Sequence, residues 1–150
     1  MFSPNNVPTQ RDLALVRESF DKVVPIAGIA ADLFYQRLFY LAPSLRGLFP
    51  ADMRDQKRKL MVMIATAVQG LHDLDRLVPQ LTALGAQHAG YGVEQRHYAI
   101  VGDALIWTLE RGLGNDFTPA VRQAWMRVYG LLAAVMQDGA SEAITMRAAE

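Results

Sequence analysis

A chain of 150 residues with zero formal net charge, 51% hydrophobic and 20% charged, has the composition of one soluble globular domain and excludes a disordered segment. At this length roughly 68–70% of the unfolded chain's surface can be buried, enough for a core with a pocket inside it. The balanced charge gives no reason to expect nucleic acid or an anionic membrane as partner, and the absence of cysteine excludes disulfides, Cys-bound zinc and iron–sulfur clusters.

Residues 1–8, with Pro4, Asn5, Asn6 and Pro8, read as a flexible leader. No basic start followed by an apolar run is present, so no signal peptide is expected and the location is expected to be cytoplasmic. Thr9 with Asp12 has the pattern of a capping box opening a first helix, with Leu13, Val16, Phe20, Val23 and Val24 on one side. Pro25 ends or bends it. The next helix carries Ile26, Ile29, Ala30, Leu33, Phe34, Leu38 and Leu41 at a repeat of three and four. Pro43 starts a short turn through Leu45 and Leu48 to Phe49, closed by Pro50. Asp52 or Asp55 opens a third long helix, with Leu60, Ile64, Ala67, Val68 and Leu71 inward. Its longest apolar run, residues 60–68, is broken by Thr66 and too short for a bilayer.

Gly70, His72, Asp73 and Asp75 make a polar loop, and Pro79 is placed in the first turn of a helix that ends near Gly90–Gly92. After Glu94 a further helix bears Tyr98, Val101, Leu105 and Leu109 and stops at Gly112–Gly114. Thr118-Pro119 starts the last, with Val121, Trp125, Val128, Leu132 and Val135 inward. No segment alternates at strand length. The expected fold is all-α, about seven unequal helices around a pocket, with one domain over residues 9–139 and a tail over 140–150 that extends helically or frays.

Four stretches then carry a resemblance: LFYQRLFYLAPSLRGLF, DQKRKLM, LGAQH followed by YGV and HYAIVGDAL, and AWMRVYGLLAAVM. In this order and spacing the sequence resembles the globin family, and more narrowly bacterial single-domain haemoglobins akin to the haem domain of flavohaemoglobins. The resemblance covers residues 12–137 and implies a globin fold holding haem b.

Taken alone, His88 would be read as a buried histidine satisfied by hydrogen bonds; the resemblance makes it the proximal iron ligand. A neutral imidazole binds iron through Nε2 while its Nδ1–H points elsewhere, and the Leu84 carbonyl one turn back is the expected acceptor. The resemblance places Tyr35, Gln56 and Leu60 on the distal side. Tyr35 is expected to donate its hydroxyl to dioxygen there, a hydrogen bond strengthened in a dry site. Gln56, one turn from Leu60, either adds a second donor or holds Tyr35, and Leu60 restricts the space. Phe49 matches the ring packed flat on the porphyrin. Leu84, Gln87, Val93, Tyr98, Val101, Leu105 and Tyr129 fall where the family lines the cofactor. Lys59 and His97 are the expected partners of the propionates, although the run Arg54, Lys57, Arg58, Lys59 reads mostly as a solvated helix face. In flavohaemoglobins the proximal histidine is also tied to a Tyr and a Glu. Tyr98 is present, but the position matching the Glu is Ala140, and Glu142 lies about 200° away around the helix.

Two functions follow from the resemblance. One is reversible binding of dioxygen, CO or NO at a five-coordinate ferrous iron. The other is nitric oxide dioxygenation, converting NO and O2 to nitrate. No Gly-rich dinucleotide fingerprint occurs in the chain, so turnover would require a separate NAD(P)H-dependent reductase. His72 reads as a surface residue, and three histidines without HExxH spacing do not make a zinc site.

Overall fold

The computed structural model describes residues 7–149, with side chains described over 7–143. Its elements are α1 (Gln10–Val23), α2 (Ala27–Leu41), α3 (Arg54–Gly70), α4 (Leu74–Gly90), α5 (Gln95–Leu113) and α6 (Pro119–Ala149). Three short 3-10 turns, Val24–Ile26, Pro43–Leu48 and Gly114–Asp116, join α1 to α2, follow α2 and follow α5. Among the described residues there is no strand, so the all-α expectation holds. The helix read before Phe49 is a 3-10 turn. The leader expected over residues 1–8 lies, except for Val7 and Pro8, outside the described residues. No described helix is long and apolar enough to cross a membrane.

The capping box of α1 is formed as expected: Asp12 N–H donates to Thr9 Oγ1 at 3.1 Å, and Thr9 N–H donates to Asp12 Oδ2 at 2.9 Å. Three stripe assignments shift. Val24 and Ile29 are more than half exposed and Leu41 at the end of α2 is exposed, while α2 buries Ala30, Ala31, Phe34, Tyr35 and Leu38. The cause is the 3-10 turn at Pro25, which breaks the periodicity between α1 and α2. The start of α4 also differs. It begins at Leu74, so Pro79 lies inside the helix rather than in its first turn. The Asp73 carbonyl accepts from the N–H groups of Arg76 and Leu77 and starts the helix earlier. The tail assigned to 140–150 continues α6 as far as Ala149.

The main core joins α1, α3, α4, α5 and α6 around Val16, Phe20, Leu71, Leu109, Trp125 and Val128. A second cluster, Phe34, Tyr35, Leu38, Leu45 and Ala104, packs between α2, the Pro43–Leu48 turn and α5. Two polar contacts join α1 to α6. Trp125 Nε1 donates to the buried Ser19 Oγ at 2.8 Å, and Arg127 Nη1 pairs with Asp12 Oδ2 at 3.2 Å. Burial pushes the Asp12 pKa up, but the Thr9 N–H and hydroxyl and the Arg127 guanidinium outweigh it and hold the carboxyl below its ordinary value.

The closest approach of two elements is between α4 and α6. A methyl group on Gly85 would fall into the carbonyl of Met136, and one on Gly139 into the carbonyl of Thr82. Both glycines are buried, so the two backbones pack with nothing between them. Helix α4 rests almost entirely on α6 and meets α3 only narrowly. Leu77 and Leu81 of α4 still share the main core with Ile64 and Val68 of α3.

Two outcomes follow. Gly85→Ala and Gly139→Ala should each lower stability in urea by about 1–3 kcal/mol, the usual cost of overpacking, while Gly130→Ala, with open space on the same helix, should raise it by about 0.5–1 kcal/mol. Because the folded pKa of Asp12 is depressed, its stabilisation is present above the unfolded pKa and is lost as pH falls through the folded one. Asp12→Asn should therefore cost about 1–2 kcal/mol at neutral pH, and its stability curve should meet that of the unsubstituted chain in strong acid.

Candidate cofactor and ligand site

The candidate site residues come from α2, α3, α4, α5, α6 and the corner after α2. On the α4 side, His88 lies three residues after Gly85, within the last turn of the helix. Its Nδ1 is 2.8 Å from the Leu84 carbonyl oxygen. A carbonyl only accepts, so Nδ1 carries the hydrogen and the lone pair of the neutral ring is on Nε2. The helix ends there by chain reversal: Gly92 has φ +87°, the Gly92 N–H bonds to the Ala89 carbonyl and the Val93 N–H bonds to the His88 carbonyl. This brings Val93 back beside His88, and only glycine adopts that φ without strain.

The other histidines differ. His97 is buried at the start of α5, where its Nδ1 accepts the Glu94 N–H at 2.9 Å. The neutral His97 ring therefore bears its hydrogen on Nε2, the opposite tautomer to His88. His72 is exposed in the turn between α3 and α4, with Nδ1 directed at the Gln69 carbonyl. His72 shares the tautomer of His88 but is exposed, so His88 is the half-buried histidine with an unprotonated Nε2. Among the described residues no group of three His, Cys, Asp or Glu could hold a metal ion by itself.

The α2–α3 side is built from aromatic rings. Phe34 and Phe49 meet Tyr35 edge-on with centroids at 5.1 and 5.6 Å, and Phe39 lies 5.9 Å from Tyr35 and 5.5 Å from Phe49. Arg46 secures the corner by donating to the carbonyls of Phe49, Pro50 and Ala51 at 3.3, 3.0 and 3.2 Å. Gln56 Nε2 donates to Tyr35 Oη at 3.2 Å, so Gln56 holds Tyr35 and the tyrosine keeps its own hydrogen for another acceptor. The Lys57–Asp32 ion pair, 2.8 Å, ties the start of α3 to α2 beside this contact. Burial raises the Tyr35 pKa, and the Gln56 hydrogen bond offsets part of that rise. Leu60 follows one turn after Gln56, half-buried against the same ring cluster.

On α5, Val101 and Leu105 are half-buried against this cluster, and Tyr98 is buried with its hydroxyl lacking any partner. Burial raises the Tyr98 pKa. Tyr129 reaches across from α6 to donate to the Tyr98 carbonyl at 2.5 Å, with its ring against Gly102. Its pKa is pushed far up by burial and by the neighbouring Tyr98 and Asp103. Leu84 is half-buried and Gln87 exposed on α4, while exposed Lys59 pairs with Asp55 at 3.1 Å.

A flat apolar group bearing a metal fits this set. Helix α4 offers an unprotonated imidazole nitrogen, α2 a phenol hydroxyl in an aromatic cluster, and α3 and α5 half-buried apolar side chains around that cluster. The orphaned Tyr98 hydroxyl is the kind of buried polar atom that such a group would cover or engage. Sequence reasoning did not single out Arg46, the Phe39 ring, Gly85 or Gly139. A glycine inside a helical pattern was the available signal for the last two.

The globin family model matches residues 32–136. Neuroglobin-2 of Oncorhynchus mykiss is 31% identical over 145 residues, 87% of this chain and 91% of that protein. The neuroglobin of Tetraodon nigroviridis is 30% identical over the same shares of each. Among solved structures, an engineered carbene transferase, a protein of Rhodothermus marinus provisionally assigned as a nitric oxide dioxygenase, superposes with a TM-score of 0.85 at 23% identity. It covers 95% of this chain and 99% of its own.

Proposed function

The chain belongs to the globin family, and from that membership we propose that it is a haem b protein that binds dioxygen, and other diatomic gases such as CO and NO, reversibly. Bound haem would supply a ferrous iron able to bind such gases. The observation that carries the reading is the 2.8 Å contact between His88 Nδ1 and the Leu84 carbonyl, which leaves Nε2 free to hold the iron and sets the plane of the ring.

The rest of the chain's part is positioning and exclusion. Tyr35, held by Gln56, donates its hydroxyl hydrogen to the gas, and its raised pKa keeps it protonated throughout the neutral range. The rings of Phe34, Phe39 and Phe49 shield that donor from water, and a hydrogen bond is stronger in such surroundings. Leu60 limits the room above the iron. Phe49, Leu84, Gln87, Val93, Tyr98, Val101, Leu105 and Tyr129 form or support the walls. Lys59 and the Nε2–H of His97 suit the propionates, with exposed pairs of this kind worth about 0–1 kcal/mol.

The environment of His88 favours binding over oxygen–oxygen bond cleavage. The acceptor at Nδ1 is a neutral carbonyl rather than a carboxylate, and the position matching the flavohaemoglobin Glu is Ala140, so the imidazole is less basic than it would be with that carboxylate. Nitric oxide dioxygenation with a separate NAD(P)H-dependent reductase is the second reading, favoured by the assignment of the Rhodothermus marinus protein.

Tyr35→Phe should speed dioxygen loss by about ten- to a hundredfold, the worth of a hydrogen bond to a charged acceptor, and an unchanged dissociation rate by stopped flow would remove the assignment. In the unsubstituted protein that rate should stay level between about pH 6 and pH 9, because the raised Tyr35 pKa keeps the donor protonated. His88→Ala should emerge from expression without haem and regain it with added imidazole; native-like haem in the untreated variant would refute His88 as the ligand. Nitrate formed in repeated turnovers with a supplied reductase would decide for the second reading, and a single stoichiometric burst against it.

A further inference from the structure

On the outer face of α2, α5 and α6 lies a groove of about 410 Å³ that the proposed function does not use. This is within the usual size range of small-molecule sites, about 300–1,000 Å³. Its apolar lining comes from Ile106, Trp107, Met126 and Tyr129, and Arg37 of α2 stands at its wall. The Arg37 guanidinium carbon is 4.9 Å from the Tyr40 ring centroid and 5.1 Å from that of Trp107. Arg111 sits over the same Trp107 at 4.5 Å.

Arg37 is half-buried, yet its guanidinium makes none of the side-chain hydrogen bonds or ion pairs found among the described residues, and its buried Nε has no partner. A guanidinium has two faces and a rim of five N–H donors. Here two aromatic rings lie within about 5 Å of the guanidinium carbon and help hold the group, while its rim lacks an acceptor. Such a group is preorganised for a planar anion that accepts two parallel N–H bonds. The other charges around the groove are Arg122, Asp103 and Glu110, so with Arg37 the lining is electrically balanced and favours a singly charged ligand over a dianion.

We propose that this groove is a second ligand site, taking an organic carboxylate with an apolar body: the carboxylate on the rim of Arg37, the body over Ile106, Met126 and Trp107. The site is distinct from the candidate cofactor site, with which it shares only Tyr129, and its occupancy does not depend on the identity of the cofactor there.

The test is calorimetric titration of the haem-loaded protein with 1-naphthoate and with decanoate, using 1-naphthalenemethanol and 1-decanol as uncharged controls. Saturable binding at one site per chain is expected for the acids, with the alcohols weaker by at least about tenfold. Arg37→Met, which keeps the apolar stem, should weaken the acids to a similar degree. Met126→Glu, at a position 52% exposed and therefore tolerant of change, should do the same by placing a like charge on the apolar floor. No binding, or binding that both variants leave unchanged, would overturn the proposal. So would a dimer by sedimentation that Arg37→Met breaks and the acids do not reach, since the face would then belong to a second copy of the chain. Carboxylate uptake by the candidate cofactor site of haem-free protein is separable, because Arg37→Met would not alter it.

Discussion

Where α4 crosses α6, Gly85 and Gly139 let the two backbones touch, and the position of His88 depends on that contact. A helix resting on a neighbour through ordinary side chains stands about 8–10 Å from its axis. Glycine at both contact points permits a closer seat and leaves no room for sliding. With α4 seated on α6 it meets α3 only narrowly, through the part of the core that holds Leu77 and Leu81. His88 follows Gly85 by three residues, close to one turn, so the histidine is set by the same contact. The reversal at Gly92 then brings Val93 against it.

His88 and Tyr35 differ chemically because hydrogen bonding assigns each polar group one direction. On α4 the Leu84 carbonyl forces the hydrogen onto Nδ1 of His88, so Nε2 faces outward as a base. On α2 the Gln56 amide donates to Tyr35, so the phenol faces outward as an acid. A metal needs the first and a ligand with developing negative charge needs the second. His97 has the opposite tautomer because it caps a helix, which separates a structural histidine from a candidate ligand without reference to any relative.

Much of this was legible in the sequence. The Thr9–Asp12 box, the Gly92 reversal, the all-helical periodicity and the one-turn spacing of Leu84 and His88 are local signals, and local hydrogen bonds obey them. The errors fell where local rules compete. Pro79 fits a first turn, but Asp73 supplied carbonyl acceptors earlier, and the helix absorbed the proline. Val24 and Ile29 kept the period on paper, while the 3-10 turn at Pro25 rotated the register and exposed them. The role of Gln56, left open between donor to the gas and holder of Tyr35, required the contact itself. Long-range features such as the Gly85–Met136 and Gly139–Thr82 contacts, or Arg37 between Tyr40 and Trp107, have no periodic signature and depend on how distant helices meet.

Under the proposed function His88 alone holds the iron, and Tyr35 and Gln56 offer a phenol and an amide to the gas, with no second imidazole. Absorption spectra of the purified protein, ferric, then reduced with dithionite, then exposed to CO, test this most directly. The expected result is a strong Soret band, a reduced form with a single broad visible band typical of five-coordinate iron, and a sharp shift on CO. A reduced form already showing two sharp visible bands would mean a second protein ligand on the iron. No Soret band even after haem is added back would contradict the central claim outright.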